Sequence, residues 1–193
     1  MAQNEERVTL LEREAVTLEV AQMYDALLAQ RGVVPNMFKV LAHHPGIAQG
    51  VAGFLKPLLS DGALSGYYKE LVAVRISVLN ESEYAIRAHS ASAKLKGASD
   101  AQIAGVKDFE KGPYSEKEKS GFRLADRLHR GGRQIDDNFY TELRKEFGEK
   151  EVIELFLTAA AFEMFPRFID GLHIPVTQLP AAATSVATAT PEK

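Results

Sequence analysis

The stretch GYYKELVAVRISVL, residues 66–79, constrains this chain more than any other. Leu71, Val72, Val74, Ile76, Val78 and Leu79 are apolar, and on a helix they cover nearly the whole circumference rather than one stripe. Such a helix has no broad face to offer water, so it belongs at the centre of a core with other helices packed around it. Ser65 stands at its N-cap. Asn80 is expected to cap the next helix, with Glu83 at the third position reaching back, and Gly97 is expected to end it.

The remaining segments supply helices to surround that core. Thr9-x-x-Glu12 reads as a capping box that opens a helix from Leu10 to about Gln30, stopped by Gly32. VVPNMF turns into a short helix containing Val40 and Leu41, which stops near Pro45. Another helix runs from Ile47 to Leu59, where Pro57 predicts a kink or an early end. Ser99-x-x-Gln102 and Ser115-x-x-Glu118 are capping boxes for helices near 100–108 and 116–130. Gly131-Gly132 precedes a helix at about 137–147, and Gly148 precedes a long one over 149–169. No strand alternation exceeds a few residues, so the fold class is all-α. Residues 1–178 are expected to form one helical domain with its core motif at 65–97, and the small-residue tail 179–193 to be disordered.

Composition narrows the function classes. Lys plus Arg number 23 against 26 Asp plus Glu, a net charge of -3, which gives no electrostatic reason to expect nucleic acid or an anionic membrane as partner. No apolar run approaches the ~18 residues that span a bilayer, and MAQNEERVTLLERE is too charged for a signal peptide, so cytoplasm is the expected location. With no cysteine there are no disulfides, no thiolate zinc sites and no thiol catalysis. None of the five histidines has the spacing to a carboxylate pair that suggests a metal triad, and no cofactor is expected.

NESEYAIRAH, residues 80–89, carries the candidate chemistry. Ser82, Ala85 and His89 are spaced three and four apart, which places them on one helical face. Ser82 lies in the first turn, where free backbone N–H groups and the helix dipole favour an anion. Glu70, on the preceding helix, could fold back against this one. It could equally pair on the surface with Lys69 or Arg75, and His89 could be an inert core or interface histidine. Tyr84 reads either as a packed aromatic or as a proton donor.

These residues resemble the core motif of the alkylhydroperoxidase D-like / carboxymuconolactone decarboxylase superfamily. VPNMFKVLAHHPGIAQG is similar to its entry segment, KELVAVRISVLNESEYAIRAHSASAKLKGAS to its core, and FPRFIDGLHIP to its usual end. In the peroxidase branch a Glu is followed twelve residues on by a Cys, three on by a second Cys and four on by a His. Here those positions are Glu70, Ser82, Ala85 and His89. The resemblance implies that Glu70 and His89 relay protons, that Ser82 and Ala85 mark the thiol pair, and that the chain forms a homo-oligomer, a trimer or hexamer. Phe156, Phe162, Phe165 and Phe168 are candidates for core or interface packing.

Serine cannot cycle through sulfenic acid and disulfide, so the dithiol peroxidase reaction is closed to this chain. Three readings stand. The first is a carboxymuconolactone decarboxylase-like enzyme using acid–base chemistry on a small organic acid or lactone, with Tyr84 or Ser82 hydrogen-bonding the substrate. The second is an alkylhydroperoxidase-like antioxidant protein lacking its CxxC thiols, by nature or by replacement. The third is a non-catalytic oligomeric binding module.

Overall fold

The computed structural model describes residues 6–178; residues 1–5 and the tail 179–193, with the disorder expected of it, lie outside the described residues. Nine α-helices follow one another among the described residues: α1 (Leu18–Arg31), α2 (Asn36–Leu41), α3 (Pro45–Leu59), α4 (Gly66–Leu79), α5 (Glu83–Leu95), α6 (Asp100–Gly105), α7 (Glu116–Arg130), α8 (Asp137–Glu146) and α9 (Glu149–Gly171). No strand occurs among them, and the fold is all-α. The described residues divide into two compact units, 6–52 with 173–178, and 53–172.

In the first unit the opening helix is shorter than Thr9-x-x-Glu12 predicts. Residues 9–12 are not helical, a single 3-10 turn follows at Arg13–Ala15, and α1 begins only after Thr17. The reason lies in competing partners. Thr9 is bonded to His43 through its carbonyl, Glu12 to Lys39, and Leu11 through both its N–H and its carbonyl, to Lys39 O and the Tyr24 hydroxyl. The stop at Gly32 is as expected: its φ of 71° is left-handed, and its N–H closes on Leu28 O.

The second unit is organised around α4. Leu71, Val72, Ala73 and Ile76 are fully buried, and α4 packs against α5, α7 and α9. Its polar residues are each satisfied within this unit. Lys69, wholly buried, pairs with Glu154 of α9 at 3.0 Å, and Glu154 also accepts the N–H groups of Ala63 and Leu64, fixing the loop before α4. Arg75 makes a two-pronged ion pair with Asp126 of α7 and donates to the carbonyls of Val106 and Lys107. The Tyr68 hydroxyl donates to Glu118 O, and Gly121 on α7 leaves the room for it: a Cβ there would fall on that hydroxyl.

Side-chain caps set three of the helix starts, at Ser99, Ser115 and Asp136. Ser99 and Ser115 form complete capping boxes with Gln102 and Glu118, and α7 spans the residues predicted for it. Ser65 occupies the N-cap of α4, but its hydroxyl takes no backbone N–H; the Asp61 carboxylate accepts from Gly66 instead, at 2.6 Å. Pro57 is accommodated inside α3, two residues before that helix ends.

Candidate active site

The turn between α4 and α5 builds the site. Asn80 does not cap α5 as the sequence suggests. It closes α4: its backbone N–H and side-chain amide both bond to Ile76 O. Glu81 then takes a left-handed φ of 55°, and Ser82 becomes the N-cap of α5. This three-residue reversal folds α5 back along α4 and sets residues nineteen apart face to face.

At that meeting point His89 Nδ1 lies 2.7 Å from Glu70 Oε2. The other carboxylate oxygen, Oε1, accepts from the Ser92 hydroxyl at 2.7 Å and from Lys96 Nζ at 2.6 Å. Glu70 has no solvent exposure, whereas the His89 side chain keeps 11%. Burial pushes the Glu70 carboxyl up, but the hydrogen bond and charge of His89 and the ammonium of Lys96 outweigh it and hold the carboxyl at about 2. Glu70 is therefore an anion at neutral pH. A carboxylate only accepts, so Nδ1 is the protonated ring nitrogen, and in the neutral ring the lone pair sits on Nε2. Among the described residues Nε2 has no hydrogen-bond partner. Phe162 of α9 packs edge-on against the imidazole at 4.2 Å between centroids, fixing the ring on its other side.

The remaining expected residues fall into place unevenly. Ser82 is buried at the head of α5, and its hydroxyl does not serve the backbone; it donates to Asp170 Oδ1 near the end of α9 at 3.1 Å. Ala85 is buried one turn before His89 on the same face. Tyr84 is buried too, but it is not a partner of the Glu70 carboxylate. The surface reading of Glu70 is excluded, since Lys69 pairs with Glu154 and Arg75 with Asp126. His129 near the end of α7 meets Glu163 at 2.7 Å, whose other oxygen takes Arg167. Phe162 and Phe165 are buried in the core.

Sequence reasoning missed Ser92, Lys96 and Asp170. The first two were within reach: 82, 85, 89, 92 and 96 continue one three-four alternation, so extending the stripe past His89 finds both. Asp170 lies 88 residues from Ser82 and carries no local signal. Among the described residues no group of three or more His, Asp or Glu side chains is placed to hold a metal ion.

An all-helical scaffold with a buried Glu–His pair across a helical hairpin defines the class. Residues 45–109 match the carboxymuconolactone decarboxylase family model. A peroxidase-related protein with an alkylhydroperoxidase AhpD core from Ralstonia eutropha superposes with a TM-score of 0.83 at 19% identity, over 92% of this chain and 95% of that one. A peroxidase-related protein from Silicibacter sp. gives 0.81 at 18%, over 95% and 96%. A cysteine-to-alanine variant of the debrominase Bmp8, in complex with 2,3,4-tribromopyrrole, gives 0.81 at 17%, over 96% and 99%. No curated protein matches the sequence. The chain thus shares the fold of these structures, and its match to the family model is confined to residues 45–109.

Proposed function

We propose that this chain is an acid–base enzyme acting on a small organic acid or lactone. His89 moves the proton, and Glu70 orients and charges it. The observation that carries this reading is the asymmetry of the imidazole: Nδ1 is tied at 2.7 Å to a buried carboxylate, while Nε2 has no partner among the described residues. A neutral ring so held presents a lone pair that can take an acidic C–H proton next to a lactone or carboxyl carbonyl. A protonated ring presents an N–H that can return one. For a carboxylated lactone the C–CO2 bond breaks, CO2 leaves, and the electron pair enters the conjugated lactone as an enolate. The Nε2 proton then forms the new C–H bond, and the ring is reprotonated from solvent. Ser82 has its proton engaged by Asp170, so it meets a substrate as an acceptor; Tyr84 is retained as a candidate donor.

Carboxymuconolactone is the first substrate to offer, with CO2 release as the readout. Turnover that falls roughly 10²–10⁴-fold in His89→Ala supports the reading. Turnover unchanged in that variant removes it.

A second reading is supported by Ser82 at the N-cap of α5 with Ala85 one turn on, where a thiol pair would have a helix N-terminus beside it. The peroxidase-related proteins share the fold. On this reading the chain is a thiol peroxidase scaffold without its nucleophiles, and introducing cysteines at both positions should create dithiol-dependent peroxide reduction.

A further inference from the structure

We infer that Lys96 is a positioning residue that sets the charge of the Glu70–His89 pair; the inference rests on the reading of His89 as the proton carrier. Lys96 Nζ lies 2.6 Å from Glu70 Oε1 and 2.7 Å from the carbonyl of Leu59, the last residue of α3. Lys96 is itself the C-cap of α5. Its ammonium is thus held by a buried carboxylate and by the carbonyl at the negative end of α3. The two carboxylate oxygens are divided in their duties. Oε1 carries Lys96 and Ser92; among the described residues Oε2 carries His89 alone.

The consequence is electrostatic. A bare carboxylate against an imidazole would favour the imidazolium and leave less of the neutral ring to accept a proton. With Lys96 in place the carboxylate is already neutralised as a charge while its hydrogen bond to Nδ1 is intact. The neutral ring keeps its tautomer without being locked in the protonated form. Among the described residues, the groups around this pair are accounted for. Glu70 faces His89 from α4, and the uncharged Phe162 faces it from α9. The nearby acids are engaged elsewhere: Asp100 of α6 pairs with Lys94, Asp170 of α9 holds Ser82, and Glu163 of α9 pairs with His129 and Arg167. On α5 itself, Glu83 and Arg87 pair with each other on the exposed side.

The test is a titration of protein labelled with ¹⁵N-histidine, following the His89 ring resonances without any substrate. In Lys96→Met the His89 protonation step should move to higher pH by about one unit, the low end for a charge at this range, and Lys96→Arg should restore it. If Lys96→Met fails to fold, Lys96→Gln carries the same test, because it removes the charge and keeps a polar donor at this position. A step that stays in place in folded Lys96→Met or Lys96→Gln overturns the inference. So does a step that moves equally in Lys96→Arg. If the step moves as stated but no lactone is turned over, the charge-setting role stands and the functional reading falls.

Discussion

His89 Nδ1 sits 2.7 Å from Glu70 Oε2 across two antiparallel helices, and Glu70 is sealed from solvent while His89 is not. A buried carboxylate backing a histidine whose far nitrogen is unpartnered among the described residues is an arrangement with a direction: the charge inside, the unpartnered ring nitrogen away from it. The expectations below test that arrangement and the scaffold that holds it.

Acid should reveal the pair. Glu70 is held at about 2 in the fold against an ordinary value of 4.5. A depressed carboxyl stabilises the fold fully above its unfolded value and loses that contribution as pH falls through the folded one. Denaturant unfolding should therefore show the protein losing stability between about pH 4.5 and 2, and Glu70→Gln should lose less over that interval. At pH 7 the same substitution should cost roughly 3–5 kcal/mol, since it leaves the Lys96 ammonium without its anion.

Much of this scaffold is legible in the sequence because its signals are local. The serine capping boxes at Ser99 and Ser115, the left-handed glycine at Gly32 and the all-round apolarity of α4 each act within a few residues. The failures share a cause as well. Thr9 and Asn80 have good capping chemistry, but His43 in one case and the α4 terminus in the other claim them first. The Glu70–His89 pairing was accessible through spacing once a hairpin was assumed, whereas the Asp170 contact to Ser82 needs the tertiary fold.

Close approach of α4 and α7 depends on Gly121. Replacing it by alanine places a methyl on the Tyr68 hydroxyl and should destabilise the protein by about 1–3 kcal/mol, read as a lower denaturation midpoint.

Arg75 tests charge that is structural only. Arg75→Met abandons Asp126 and the carbonyls of Val106 and Lys107, and should cost roughly 2–4 kcal/mol while leaving the His89 titration unchanged. A shift in His89 with this variant would show that distant charges reach the site.

The outer face of α9 exposes Ile153, Leu157 and Met164, at 59%, 45% and 54%. We propose that these residues contribute to the expected homo-oligomer. Light scattering at micromolar protein should give a mass several times 21.2 kDa, and Leu157→Glu should lower it. A monomer before substitution contradicts the proposal.

The most direct test of the central claim follows the proton itself. Carboxymuconolactone is converted in deuterium oxide and the product examined by NMR for deuterium at the ring carbon next to the lactone carbonyl, where the enolate left by CO2 loss takes its proton. With Glu70 and His89 intact, CO2 release should be catalysed and that carbon should carry one deuterium; His89→Ala should slow the reaction roughly 10²–10⁴-fold and Glu70→Gln should slow it less. Equal rates in the parent protein and His89→Ala would contradict the claim that this pair performs the chemistry.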